Sequence, residues 1–257
     1  MFFDTHCHLD DPSLSADLSG ILAGARAAGV TGFLVPGVHP ANWARIAELS
    51  KLSSAIHPAF GVHPMHADLV TSETLDALAA FTPHARAIGE IGLDYQLSSP
   101  SRDCQREAFR AQVRVAVQAK LPLLLHCRKA FGDLLEIARE EGIAEVGGVM
   151  HAFSGSPELV RDCLRLNLYI SLAGTVTYQN AVRPPAVALA VPLEHLLLET
   201  DAPDLAPEPH RGTVNRPEYL LETARRVAEL REVSLEELAV ATSNNARKLL
   251  RLSHPSP

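Results

Sequence analysis

Cysteine is sparse and scattered: Cys7, Cys104, Cys127 and Cys163 share no CxxC spacing. That pattern argues against a disulfide framework or a cysteine-rich zinc knuckle, and reduced thiols are expected. No apolar run approaches the roughly 20 residues a membrane span needs, so no membrane partner is expected. The start, MFFDTHCHLDD, has no basic opening and turns acidic within a few positions. A signal peptide is therefore not expected, and a cytoplasmic location is the default. Excess positive charge is missing as well. Net charge is −7 with histidine neutral, whereas proteins that coat long nucleic acid carry a basic stripe. A small substrate or a strand end fits this balance better than a long duplex, because carboxylates that hold metal ions also count as negative charge.

What is present is enough for a large core. Apolar residues make up 47% of the 257 residues and charged residues 21%, which excludes a disordered chain. Short apolar runs alternate with amphipathic stretches. The runs Met1 to Thr5, Gly32 to Pro36, Ala55 to Gly61, Ala85 to Ile91, Leu121 to His126, Gly147 to His151, Leu168 to Ala173 and His195 to Thr200 are expected strands. Many are continuously apolar, as in LPLLLH and HLLLET, the pattern of parallel strands covered on both faces. Helices are expected between them. Leu18, Ile21, Leu22 and Ala25 recur at helical spacing, Ser101 can cap the run through Lys120, Pro157 follows a capping serine, and Ser234 with Glu237 forms a capping box. A strand recurs roughly every 25 to 35 residues, the size of a βα unit. Eight such units in about 250 residues predict a TIM-type (β/α)8 barrel, a single domain over 1–257. A doubly wound open sheet is the alternative, but no glycine-rich dinucleotide fingerprint follows the first strand. Pro203 to Pro217 reads as a long loop over the site, and the terminal His254 to Pro257 is expected to fray.

Histidines and carboxylates sit at strand ends. His6 and His8 end the first expected strand, His63 the third, Glu90 the fourth, His126 the fifth, His151 the sixth and Asp201 the eighth. In a barrel these ends converge on the face where active sites lie. Residues i and i+2 of a strand point the same way, so His6 and His8 can bind one metal. Glu90 can offer two oxygens, one to each of two ions. His126 and His151 can complete the second ion and Asp201 the first. This mix of nitrogen and carboxylate donors suits zinc or manganese, with magnesium possible. Two divalent ions on a shared bridge activate water and clamp an oxyanion.

These residues resemble the TatD family of metal-dependent hydrolases, within the wider amidohydrolase-like superfamily. The matching motifs are FFDTHCHLD, GVHP, GEIGLDY, LLLHCR, HAFSGS, LLLETDAPDLAP, RGTVNRP and SNNARKLL, in the family's order from residue 3 to about 250. The resemblance implies a TIM barrel with His6, His8 and Asp201 on one metal, His126 and His151 on the other, and Glu90 between them. It also implies deoxyribonuclease activity. One departure stands in the loop after the last strand, usually close to RGKRNEP, where Thr213 replaces a lysine and Arg216 a glutamate. The metal ligands are unaffected, and substrate preference is the property at stake.

Around this set, His63 is read either as substrate-contacting or proton-handling, or as a structural histidine before Pro64. Arg128 and Arg211 can meet a phosphate in a fork, or be ordinary surface arginines. Asp94 and Glu199 can orient metal-ligating histidines. Lys120 lies at the wrong end of its strand for a carboxylated bridging lysine. The leading functional expectation is a nuclease with Glu90, Asp201 and His63 as catalytic residues, acting on DNA ends or single strands. A hydrolase of ester or C–N bonds in a small molecule is the first alternative. A non-catalytic binding protein with a vestigial metal site is the second. A monomer is the default.

Overall fold

The apolar runs fold as strands buried on both faces. The computed structural model of the protein describes residues 1–253, so the expected fraying of His254 to Pro257 lies outside the described residues. The strands are β1 (Phe2–Asp4), β2 (Val30–Val35), β3 (Ile56–Phe60), β4 (Ala87–Asp94), β5 (Leu123–Arg128), β6 (Gly148–Met150), β7 (Leu168–Leu172) and β8 (Leu196–Leu198). They lie in one eight-stranded sheet in chain order, β1 to β8. Backbone bonds from Thr5 N–H to the Leu198 carbonyl and from Asp201 N–H to the His6 carbonyl tie the end of β8 back to β1. Helices α1 (Pro12–Ser15), α2 (Leu18–Ala27), α3 (Trp43–Leu52), α4 (Ser72–Phe81), α5 (Arg102–Ala119), α6 (Phe131–Glu140), α7 (Pro157–Arg165), α8 (Arg183–Ala190), α9 (Leu220–Arg231) and α10 (Leu235–Leu249) occupy the connections. The fold is a (β/α)8 barrel.

Helix starts follow local chemistry. The Ser101 hydroxyl accepts from Cys104 N–H and Ser234 from Glu237 N–H, each satisfying an amide that the first turn leaves without a partner. Helix α7 begins at Pro157. Lys120 is the left-handed cap of α5, three residues before β5 begins, so it stands at the far end from the strand's functional tip. All four cysteines are free thiols. Among the described residues, no helix is long and apolar enough to cross a membrane.

The chain falls into two compact units. One comprises Met1–Val35, His151–Val160 and the chain from Ile170 on; the other comprises Pro36–Met150 and Arg161–Tyr169. In the second unit β4 is buried along its whole length. Gly89 and Gly92 let it approach β5: a Cβ at Gly89 would meet the Leu124 carbonyl oxygen at 2.5 Å, and one at Gly92, where φ is +146°, the His126 carbonyl oxygen at 1.9 Å. This is why the strand that carries Glu90 reads AIGEIGLD.

Strand limits differ from those expected, and the differences move functional residues. β1 stops at Asp4, so His6 and His8 lie beyond it, with Cys7 in an isolated parallel bridge to Ala202. Strand β4 runs on to Asp94 and β5 to Arg128, which places Glu90 and His126 inside strands rather than at their ends. β3 ends at Phe60, and His63 instead caps a 3-10 turn over Pro64–Leu69. β8 is only Leu196–Leu198, because His195 closes a 3-10 turn before it and Asp4 takes the Thr200 amide after it.

Candidate metal centre

In the first unit, β1 and β8 deliver the candidate ligands His6, His8 and Asp201 through a shared backbone seam. Beyond the strands, His8 N–H donates to the Ala202 carbonyl at 2.8 Å and Asp201 N–H to the His6 carbonyl at 2.9 Å. Asp4, fully buried, holds the seam from beneath. Its Oδ1 accepts from Thr200 N–H at 2.9 Å and from His6 N–H at 3.3 Å, and its Oδ2 from the Thr200 hydroxyl at 2.6 Å. Burial pushes the Asp4 carboxyl up to about 7 despite these hydrogen bonds, with the Glu199 charge adding to the rise.

Three candidate ligand atoms converge above that seam. His6 Nε2 lies 3.1 Å from His8 Nε2 and 3.4 Å from Asp201 Oδ1, and His8 Nε2 lies 3.6 Å from the same oxygen. Donors about 2.0 to 2.1 Å from a tetrahedral ion are separated by about 3.3 to 3.4 Å, so these three atoms have the spacing of one face of a coordination sphere. Burial alone would raise the Asp201 carboxyl. The hydrogen bond with His8 and the charges of His6, His151 and His8 outweigh it and hold the group below the ordinary carboxylate range. The His151 ring stacks on His6, centroids 4.0 Å apart, and its Nδ1 lies 3.5 Å from Glu199 Oε1. Glu199 also accepts from Ala152 N–H. With Nδ1 turned to Glu199, Nε2 is the His151 nitrogen left to face a metal.

The second unit carries a matching cluster. Glu90 Oε1 lies 3.0 Å from His126 Nδ1 and 3.6 Å from His63 Nε2. The other His126 nitrogen, Nε2, lies 3.3 Å from Asp94 Oδ2. Burial would raise the Asp94 carboxyl; hydrogen bonds from His126 and the Gln96 amide, with the charges of His126 and Arg128, keep it low. Thus a carboxylate holds one ring nitrogen of His126 while Nδ1 stays beside Glu90, the arrangement that makes imidazole a good metal ligand. His63 Nδ1 accepts from Met65 N–H at 3.1 Å, which places the proton of its neutral ring on Nε2, the nitrogen facing Glu90.

The family described as "TatD related DNase" matches residues 3–251 of the chain. The chain belongs to the TatD family of metal-dependent hydrolases. It is 39% identical over 255 residues to the uncharacterized metal-dependent hydrolase YabD of Bacillus subtilis, covering 98% of this chain and all of YabD. It is 36% identical over 253 residues to the uncharacterized metal-dependent hydrolase YcfH of Escherichia coli, covering 97% and 95%. The crystal structure of YjjV, a TatD homologue from Escherichia coli, superposes with a TM-score of 0.93 at 33% identity over 98% of both chains.

In this TatD-family chain the two arginines expected near substrate are differently placed. Arg128 ends β5 and is exposed, in register with Asp94 of β4. Arg211 lies over the Tyr178 ring, 4.1 Å from its centroid, with Glu208 Oε1 3.7 Å away. Of the two departures in its loop, Thr213 turns its hydroxyl back on the His210 carbonyl, and Arg216 pairs with Glu218 at 3.1 Å.

Several positioning residues escape a reading of strand ends. On α5, Gln105 accepts from Asp94 N–H and donates to the Asp94 and Pro100 carbonyls, while Gln112 accepts from Val62 N–H and donates to its carbonyl. The two glutamines are seven residues apart, on one face of the helix. They fix the backbone beside His63 and at Asp94. Buried Asn215 donates to the Thr200 and Asp204 carbonyls and so pins the loop that follows Asp201. The available signal was polar residues on the buried face of α5, among Phe109, Val113 and Ala116.

Asp94→Asn should weaken divalent-ion binding about 10- to 100-fold by removing the charge that orients His126. Calorimetric titration of the metal-stripped protein reads this directly; unchanged affinity would free Asp94 of that role.

Proposed function

We propose that the chain is a single-domain, cytoplasmic nuclease that hydrolyses DNA phosphodiester bonds at strand ends or in single strands. Its ligands are His6, His8 and Asp201 for one divalent ion, His126 and His151 for another, and Glu90 shared. The observation that carries the reading is the spacing of His6 Nε2, His8 Nε2 and Asp201 Oδ1, which fits one ion, together with the Glu90–His126 cluster on the second unit. Zinc, manganese and magnesium all suit these donors. When bound, such ions supply Lewis acidity at phosphorus oxygens.

The chain's own groups do the rest. Asp94 and Glu199 keep His126 and His151 in the orientation that ligation needs. His63 presents Nε2–H beside Glu90, where it donates to a substrate oxygen. Arg128 and Arg211 meet phosphate oxygens from the ends of β5 and of the loop after β8. DNA enters as substrate through the family's description as a DNase and through this phosphate chemistry.

The test is a panel assayed with one metal-loaded preparation: single-stranded DNA, duplex DNA, RNA, a small phosphodiester, lactones and N-acyl compounds. Single-stranded DNA should be cut faster than long duplex. Rapid turnover of a lactone or amide, with no nuclease activity that disappears in Glu90→Gln, moves the assignment to a small-molecule hydrolase.

A further inference from the structure

Beside the Glu90–His126 cluster the second unit carries three cations with no carboxylate in salt-bridge range among the described residues: Arg102, Arg128 and Lys129. They are exposed, in a chain whose net charge is −7. Backbone geometry holds them together. Tyr95 N–H donates to the Arg128 carbonyl at 2.9 Å, and the Arg102 guanidinium lies over the Tyr95 ring, 4.6 Å from its centroid. The ring is itself anchored, because the Tyr95 hydroxyl donates to Asp133 Oδ2 at 2.5 Å. That same carboxylate oxygen accepts from Arg106 at 2.9 Å. Asp133 is therefore already engaged by Tyr95 and Arg106, and Asp94 stands in register with Arg128 alone of the three. Lys129 takes a left-handed turn, φ +58°, directly into α6. The N-cap of that helix is Ala130, which offers no side-chain oxygen to the first turn. An uncapped helix start adds partial positive charge at the same place.

We propose that Arg102, Arg128 and Lys129, with the start of α6, form a track for the phosphates of a single nucleic-acid strand next to the bond that is cut, and that Tyr95 is the positioning residue for Arg102. The inference rests on the phosphodiester reading and extends it: the substrate is a strand with several phosphates, not a small diester. Stacking on the anchored ring restricts Arg102 before the strand arrives, so less side-chain freedom is lost on binding. The track starts two residues beyond His126, so a strand lying along it is delivered to the ligand cluster rather than to a remote face.

The experiment measures binding of a fluorescein-labelled phosphorothioate thymidylate octamer to the metal-loaded protein by anisotropy, across a range of salt. Arg128→Ala with Lys129→Ala should weaken binding about tenfold or more at low salt and lower the salt slope by about 1.4, roughly 0.7 for each phosphate that is no longer neutralised. Arg102→Ala should weaken binding, and Tyr95→Leu should do so with Arg102 still present. The control removes equal charge from the last turns of α3 and α6 through Lys51→Ala with Arg139→Ala, and should leave the octamer affinity near wild type. Equal losses in the control and the track variants, or wild-type affinity in the track variants, overturn the proposal. Wild-type cleavage of the unmodified thymidylate octamer is read separately. If it is robust while the track variants bind normally, the track falls and the phosphodiester reading stands. If it is absent while the octamer binds through these residues, the track stands and the hydrolytic reading falls.

Discussion

Exhaustive chelation should abolish hydrolysis, and a divalent ion should restore it. His6, His8 and Asp201 bring three donor atoms within 3.6 Å of one another, the spacing of one face of a coordination sphere. Without an ion nothing at that point polarises a phosphoryl oxygen, and the rate should fall at least about a thousandfold, roughly 4 kcal/mol in the barrier. The same ion should raise thermal stability, because it binds the folded ligand set and not the unfolded chain. At a free concentration a hundred times Kd that linkage is worth about 2.7 kcal/mol. Metal content by mass spectrometry, activity and melting temperature should therefore change together along a chelation series. Full activity in a verified metal-free sample would sink the mechanism.

Glu90→Gln should cost far more than His63→Ala. Glutamine keeps the shape of the side chain in β4 but loses the charge that faces His126 Nδ1 at 3.0 Å. The expected result is loss of one of two bound ions and a fall in turnover of at least about a hundredfold, roughly 2.7 kcal/mol. His63 contributes one donor beside Glu90, and its removal should cost about tenfold. The metal-free fold should tolerate Glu90→Gln, since a neutral amide is cheaper to bury than a carboxylate and its oxygen can still accept from His126 and His63. The metal-free variant should accordingly melt at or above the wild-type temperature. A Glu90→Gln protein with both ions bound and normal turnover would show that Glu90 is not the shared ligand.

Much of this protein is legible in its sequence because the relevant signals are local. Continuous apolar runs such as LPLLLH become strands because both faces must be covered, and their regular return specifies the barrel. His6, Glu90, His126, His151 and Asp201 stand out because a polar residue at or beside the tip of such a run has no cheaper place to go. The departures arise where bonds join residues distant in the chain. Asp4 takes the Thr200 amide 196 positions away, which shortens β8 and carries Asp201 off the strand. Gln112 grips Val62 across 50 positions, fixing the backbone just before His63. Asp94 orients His126 because β4 and β5 pair in a register that no periodicity reveals. The sequence by itself determined the strands and their order, and singled out the candidate ligands, since burial and alternation are properties of short segments. Only the tertiary structure decided which nitrogen of His126 faces Glu90, that His63 joins that cluster, and that Arg102 lies over Tyr95, since each depends on a hydrogen bond or stacking contact whose partner the chain reaches only by folding.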